Sequence, residues 1–317
     1  MDKVKEKFNF GNFFNKYGIY VVLLLMVAAS AIASPNFFTL KNILNVLRQS
    51  APTIILAFGA MFLMISGNMD LSVGAGMTAS GIGALVVYTS TGNLLVGLLA
   101  GILIGVAFSV ISGLVVAYLL VPSFIVTLAM DLIIRGLVMV YTGGQTITKT
   151  GNFSCIGQGY LWIFPIPVII IVVFTAVSSF VLRKTTMGRR FYAIGGNSEA
   201  SKAAGINVKK TVVISYIVSG TLTAAAGIIL ISRINSGAPT AGEGYALDAI
   251  ASTVIGGSSL AGGIGTATGT LVGGIIMGLI GNILNLMGIQ SYIQSIVKGF
   301  IIILAVVLDI QTKKKKS

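Results

Sequence analysis

Long apolar runs separated by short polar connections constrain this fold more than any other feature of the chain. A helix needs about 20 apolar residues to cross a bilayer, and apolar residues make up 55% of the 317 positions. Charged residues make up only 9%, too few to cover a water-soluble surface of this size. The sequence therefore predicts an all-α integral membrane protein with about ten transmembrane helices. The runs lie near residues 17–33, 50–66, 71–90, 94–120, 123–142, 161–182, 211–232, 247–262, 266–288 and 291–308.

Two details of this count stay open. The third and eighth runs are rich in glycine and interrupted, so nine or eleven spans are alternatives. The basic front and the small residues at 31–33 imitate a signal peptide. We expect the first helix to stay uncleaved, because it serves the later spans equally well.

Lysines and arginines collect in three clusters, which hold 15 of the 21 basic residues. By the positive-inside rule, all three are predicted to be cytoplasmic, with six spans between the first and second clusters and four after the second. This gives a cytoplasmic tail at 1–16, a single transmembrane domain at 17–309 with a central cytoplasmic loop at 183–210, and a basic cytoplasmic tail at 310–317. The clusters are Lys3, Lys5, Lys7 and Lys16; Arg183, Lys184, Arg189, Arg190, Lys202, Lys209 and Lys210; and Lys313, Lys314, Lys315 and Lys316.

The connections on the opposite side carry few charges. Segment 143–160 has one basic residue, Lys149, and contains Cys155, which we interpret as an incidental small residue in an outer loop. Lys41 and Arg48 also fall on this side and go against the charge rule. The segment around them, 40–49, is predicted to be a short interfacial helix.

Residue counts exclude several kinds of chemistry. The chain has no histidine and one cysteine, which rules out an intrachain disulfide, a zinc cluster and histidine catalysis. The basic residues flank apolar runs without interleaved aromatics, which argues against nucleic-acid binding. A phosphate-binding loop of the G-x-x-x-x-G-K-[ST] type is also missing from the sequence. We therefore predict a chain that is not an enzyme, and any ATP-driven step needs a separate polypeptide.

A polar break between the second and third runs is the first candidate functional segment. Asn68, Asp70 and Ser72 lie in it, between two glycines. Irregular backbone at membrane depth is tolerated only where protein or water satisfies it, and an ionisable group there is a functional candidate. Asp70 is interpreted as a cap of the next helix or a structural partner, with direct substrate contact as the alternative.

Further polar residues lie inside apolar runs. Asp131 and Arg135 stand four apart and are predicted to form a structural ion pair on one helix face. Asn282 and Asn285 follow a glycine-rich stretch whose four-residue spacing predicts close helix packing. We expect both asparagines to face the interior, as packing contacts or along a polar pathway.

The central loop contains the clearest soluble motif. A glycine turn is predicted to end at Gly196, and Asn197 or Ser198 is expected to cap a short helix from Glu199 to Gly205. A helix this short is not stable alone, so it is expected to pack against something. We interpret it as a docking helix, with a solvated loop as the alternative.

Taken together, these motifs resemble the membrane-spanning permease of a bacterial ABC importer of the ribose/galactose/xylose type, over about residues 41–309. The segment Gly67–Gly74 is similar to the family's G-G-I-D-L-S-V-G. The other matching segments are Pro122–Leu128, Tyr141–Gln145, Gly195–Asn197, Glu199-Ala200, Gly205–Val208, Pro239–Ala251, Gly256–Gly263 and Asn282–Leu286. The chain departs from the family at Asn68, Glu243 and Asp131, which leaves the sugar open.

The resemblance implies a translocation subunit in the bacterial plasma membrane that moves a monosaccharide such as ribose. Glu199, Ala200 and Gly205 then belong to the segment that docks into an ATP-binding-cassette ATPase. The implied partners are that ATPase, an extracytoplasmic sugar-binding protein, a second permease copy and membrane lipid. ATP and Mg would be bound by the partner, with no cofactor in this chain. The alternatives are a secondary sugar transporter driven by an ion gradient, for which Asp70 is the candidate carboxylate, and an intramembrane enzyme.

Overall fold

The structure, a computed structural model, describes residues 10–33 and 37–314. Lys3, Lys5, Lys7, Lys315 and Lys316 of the terminal clusters lie outside these residues. The elements are α1 (Phe10–Ala33), α2 (Leu40–Ile65), α3 (Val73–Thr91), α4 (Leu94–Leu119), α5 (Ser123–Thr142), a 3-10 turn (Gly151–Ser154), α6 (Cys155–Gln158), β1 (Tyr160–Leu161), β2 (Phe164–Pro165), α7 (Ile166–Lys184), α8 (Thr186–Gly196), α9 (Ser198–Ala203), α10 (Val208–Ile234), α11 (Tyr245–Ile255), α12 (Ala267–Leu286) and α13 (Ser291–Lys314).

The described chain is mostly helical, and its only sheet within those residues is the two-stranded β1–β2 hairpin. Within the described ranges, seven helices are long and apolar enough to cross a membrane: α2, α3, α4, α5, α7, α10 and α12. The helices α1 and α13 are each 24 residues long. A helical membrane bundle is therefore the observed architecture, and the predicted third span is a complete 19-residue helix.

The α2 helix lies at the centre of the bundle. From residue 50 to its end every residue is buried, which is the pattern of a helix surrounded by protein. It contacts α7, α10, α11 and α12. Segment 40–49, predicted as a separate interfacial helix, is instead the first part of α2. The Thr39 side chain caps the start of α2 by accepting from the N–H of Asn42, and the helix continues through Pro52 to Ile65.

Glycine packing joins α3, α4 and α10 into one layer. A Cβ at Gly227 would overlap the carbonyl oxygen of Met77, and a Cβ at Gly81 would lie 2.5 Å from the carbonyl oxygen of Gly227. Gly105 and Gly220 likewise lie against each other's backbones. Small residues let helix backbones approach this closely in lipid, where packing provides much of the attraction between helices.

The predicted eighth run, 247–262, is not a continuous span. The chain leaves α10 at Asn235, runs through turns to Gly244, and forms only the 11 residues of α11 before a further turn at 256–266. Gly242 donates its N–H to the Thr78 hydroxyl (2.9 Å), so the irregular segment lies against the side of α3. The glycines in this run fit tight turns and close backbone contacts, which the hydropathy of the run does not reveal.

The β1–β2 hairpin leads directly into α7 and exposes apolar side chains. Trp162 at its tip is 92% exposed, and Leu161 and Ile163 beside it are also exposed. The segment from residue 150 to 182 has no charged residue. Tryptophan and tyrosine favour the membrane–water interface, so the hairpin fits a position at the edge of the bilayer.

Trp162 is the only tryptophan in the chain, and it gives a direct test of this position. In liposomes we expect lipids brominated on the acyl chain to quench its fluorescence strongly, and aqueous acrylamide to quench it weakly. The Trp162→Phe variant provides the blank. Strong acrylamide quenching without bromolipid quenching would place the hairpin in water and contradict the assignment.

Candidate functional site

The α9 helix carries Glu199 and Ala200 on an exposed surface. Asn197 caps it by accepting a hydrogen bond from the N–H of Ala200 (2.9 Å). It ends where Gly205, at φ +83°, lets its own N–H and that of Ile206 bond back into the helix. Glu199, Ala200 and Gly205 are all exposed, whereas Ser201 is buried against the protein. One side of the short helix therefore packs against the protein, and the opposite side is an exposed surface.

The preceding segment differs from the sequence prediction. Gly195 and Gly196 belong to the end of α8 and do not form a turn. Gly195 lies against the carbonyl oxygen of Ile65, at the end of α2, where any side chain would overlap it. The same Ile65 carbonyl accepts a hydrogen bond from the N–H of Gly263 (2.9 Å). These glycines allow α8, α2 and the turn after α11 to meet at one point.

Two aromatic residues of α8 strengthen this junction. Phe191 is fully buried and packs edge-to-face on Phe62, with ring centroids 5.9 Å apart. The Tyr192 hydroxyl donates to the carbonyl oxygen of Gly265 at 2.6 Å. Burial raises the pKa of the Tyr192 phenol, so the hydroxyl stays protonated and remains a donor at neutral pH. A displacement of α8 would therefore pull directly on α2 and on the 256–266 turn.

The break between α2 and α3 is a compact turn beside this junction. Asp70 is 3% exposed, and one of its carboxylate oxygens accepts from the N–H (2.8 Å) and hydroxyl (2.6 Å) of Ser72. Its other oxygen, Oδ2, is buried without a hydrogen-bond partner in the described chain. Asn68 donates to the Ser66 carbonyl oxygen at 3.1 Å. Asn68, Asp70 and Ser72 thus bond mainly within the turn.

The two asparagines of α12 have different surroundings. Asn282 is buried and exchanges two amide hydrogen bonds with Asn42 of α2, at 3.1 and 3.3 Å. Asn285 is exposed and accepts from Gln294 at 2.8 Å. Asn282 therefore links two helices, whereas Asn285 holds the turn before α13.

A charged cluster lies where α5 meets the irregular 235–244 segment. Arg135 Nε is 2.7 Å from Asp131 Oδ2 on the same helix, and Arg135 also lies 3.7 Å from Glu243. The Glu243 side chain is 61% exposed. Exposed charge in a transmembrane bundle is costly against lipid, so this face fits a water-filled pathway or another protein surface.

A second ion pair joins α11 and α13. Lys298 Nζ of α13 is 2.6 Å from Asp248 Oδ2 of α11. The pair is not apparent from the sequence, because its two residues are 50 positions apart and their contact depends on how α11 and α13 pack. The signal available in the sequence was a lone lysine inside the last apolar run.

The arrangement can transmit motion and guide a polar solute, but it holds no metal-binding set. Among the described residues, no three histidine, cysteine or carboxylate side chains group to hold an ion. The charged residues lie on α5, α11 and α13, with Glu243 in the irregular 235–244 segment. The exposed α9 helix is connected through α8 to the C-terminal end of α2.

Comparison with known proteins places these features in a family. Residues 42–306 match the family described as branched-chain amino acid transport system / permease component. The chain is 39% identical to the ribose import permease protein RbsC of Haemophilus influenzae, over 100% of this chain and 99% of the relative. It is 41% identical to RbsC of Bacillus subtilis, over 99% of this chain and 97% of the relative.

A further relative transports a different pentose by its name. The L-arabinose transport system permease protein AraH of Escherichia coli is 36% identical, over 98% of this chain and 95% of the relative. No solved structure matches the chain. The full-length agreement with these permeases, together with the helical bundle, identifies a multi-pass protein of the bacterial plasma membrane. The chain belongs to the family of permease components of bacterial transport systems.

Proposed function

We propose that this chain is the translocation subunit of an ATP-driven importer for a monosaccharide, with ribose as the first candidate. The observation that carries the proposal is the exposed α9 helix, which is seated on α8 and joined through Gly195 to the end of α2. That geometry suits a surface on which an ATPase pushes or pulls. In this reading Glu199, Ala200 and Gly205 form the contact with the ATPase.

The substrate proposal rests on the relatives. RbsC proteins are named for ribose and AraH for L-arabinose, both five-carbon sugars. The family description names branched-chain amino acids, so leucine belongs in any transport panel. The Arg135–Glu243 and Asp248–Lys298 contacts offer charged groups that suit hydroxyl groups better than an aliphatic side chain.

The missing phosphate-binding loop supports a separate ATPase, and the likeness to import permeases supports the other partners. ATP and Mg would be bound by an ATP-binding-cassette ATPase on a separate chain, and this chain would hold no cofactor. An extracytoplasmic sugar-binding protein would capture the solute and deliver it. We propose a homodimer, because a second copy would cover the exposed charge of Glu243 and enclose a pathway.

We propose ten crossings with both termini in the cytoplasm. Ten passages result when α1, α13 and the 235–255 segment are added to the seven candidate spans. The basic loop that contains α8 and α9 then faces the cytoplasm, and the β1–β2 hairpin faces outward.

Cys155, the only cysteine, tests this sidedness because it is exposed at the start of α6. We expect a membrane-impermeant maleimide to label it from outside intact cells or spheroplasts. The Cys155→Ser variant gives the background. Labelling confined to inverted vesicles would reverse the proposed orientation.

Reconstitution tests the function itself. The permease, its ATPase and its binding protein in liposomes should accumulate D-ribose only with ATP and all three components present. Accumulation driven by a proton or sodium gradient without the ATPase would support the secondary-transporter alternative. Uptake of leucine but of no sugar would favour the amino acid named in the family description.

A further inference from the structure

A half-open cavity of about 300 Å³, lined by both polar and apolar residues, lies between α2, α11, α12 and α13. Its wall includes Glu243 and the Asp248–Lys298 ion pair, together with Gln49 and Ser295. Ligand sites in proteins begin at about this size, which suits a small molecule. Of the first charged cluster only Glu243 reaches this wall, whereas both members of the Asp248–Lys298 pair line it.

The ion pair has unused hydrogen-bonding capacity on the cavity wall. The Asp248 and Lys298 side chains are only 16% and 30% exposed. Within the described chain one hydrogen bond joins them, although an ammonium group has three donors and a carboxylate about four acceptor sites. Partly buried charges of this kind need further polar partners.

The depth of the cavity follows from its helices. Lys298 is seven residues from the start of α13, and Gly281 is five residues from the end of α12. At 1.5 Å per residue both lie about 8–10 Å below the turn that joins these helices. This turn is on the outer face in the proposed topology, so the cavity lies in the outer half of the bundle.

We propose that this cavity is a solute subsite within the permease and that it holds one neutral monosaccharide. Each sugar hydroxyl both donates and accepts, so one ligand can bond the carboxylate and the ammonium without separating them. An ionic ligand would compete with the contact between Asp248 and Lys298. An aliphatic ligand would leave the remaining donors and acceptors of this pair without hydrogen bonds. The inference rests on the proposed function and adds where in this chain the solute is bound.

Two glycines in the cavity wall allow it to be filled without disturbing the fold. A Cβ at Gly281 or at Gly299 would meet nothing within 4 Å. Both lie in helices, where leucine is a better helix former than glycine. Gly281→Leu and Gly299→Leu should therefore insert and assemble normally while occupying the sugar's space. Gly136→Leu in α5 is the matched control, because its Cβ is equally free and it is not part of the cavity wall.

In the reconstituted complex we expect each cavity-filling variant to reduce D-ribose uptake at least tenfold. Association with the ATPase should match the wild type, as should all properties of Gly136→Leu. Wild-type uptake by both filled variants would overturn the subsite and leave the proposed function intact. A wild-type complex that transports no sugar would instead overturn the proposed function, and this inference with it.

A second pair of variants separates ligand binding from a structural role of the ion pair. Asp248→Leu combined with Lys298→Met replaces the pair by apolar side chains, which proteins often accept with little loss of stability. We expect this double variant to unfold at a temperature near that of the wild type yet lose D-ribose uptake at least tenfold. Normal uptake by a folded double variant would show that the pair only holds helices together.

Modification of a thiol in the cavity gives a readout that does not depend on transport. In a Cys155→Ser background, Ser295→Cys places a thiol at the cavity wall. We expect D-ribose to slow its reaction with a small methanethiosulfonate reagent, and leucine to leave the rate unchanged. An unchanged rate at saturating D-ribose would count against the site.

Discussion

Replacing Gly205 with leucine is expected to abolish binding of the ATPase while the permease still inserts and folds. Gly205 holds φ +83° at the end of α9, a conformation that costs a residue with a side chain about 1–2 kcal/mol. The α9 helix has six residues and depends on its caps, so this strain should move the docking surface. Co-purification of the ATPase from detergent-solubilised membranes measures the loss.

Gly143→Leu is the matched control for this experiment. Gly143 has the same left-handed conformation, at φ +61°, and a Cβ there also meets nothing within 4 Å. It follows α5, outside the α8–α9 region, so ATPase binding should be normal. Glu199→Lys gives an independent test, because it reverses charge on the exposed side of α9 without backbone strain. Wild-type co-purification with both Gly205→Leu and Glu199→Lys would refute the docking role of α9.

Gly227→Val is expected to remove most folded protein from the membrane. Its Cβ would overlap the Met77 carbonyl oxygen, which belongs to the backbone of α3 and cannot rotate away. Overpacking of this kind typically costs about 1–3 kcal/mol and more where the backbone has to move. We expect a lower unfolding temperature in detergent and a loss of the monodisperse peak in size-exclusion chromatography.

Gly136→Val controls for the effect of valine itself in a transmembrane helix. Gly136 faces open space on α5, so the substitution should leave the unfolding temperature within about 2 °C of wild type, as is usual for exposed positions. If Gly227→Val were as stable as this control, the close contact between α3 and α10 would not support the fold.

Local signals in the sequence predicted most of the long helices, and they offered Asn197, with Ser198 as the alternative, as the cap of α9. The Asn197 side chain caps a helix that begins at the next residue, so this role can be predicted from the few residues around it. The α8 helix was missed because Gly195 and Gly196 favour a turn locally. Their position is decided by the Ile65 carbonyl, which is about 130 residues away in the sequence.

Contacts between distant segments could not be read from the sequence in the same way. The Asp131–Arg135 spacing predicted one ion pair, whereas Asp248 and Lys298 meet only because α11 is short and α13 packs beside it. The hydropathy pattern also overestimated the length of α11, because an irregular glycine-rich segment can be as apolar as a helix. The missed features are therefore those that tertiary packing decides.

The glycine contacts of α3, α4 and α10 restrict how this bundle can move. Sliding one of these helices along another would drive side chains into carbonyl groups that now lie against bare glycine backbone. The three helices are therefore expected to behave as a rigid frame, and opening and closing must arise at its border, where α8, α11 and α13 attach through turns. In the proposed assembly, α8, α11 and α13 would therefore move relative to a fixed frame of α3, α4 and α10, and the ATPase would act on the α8 side.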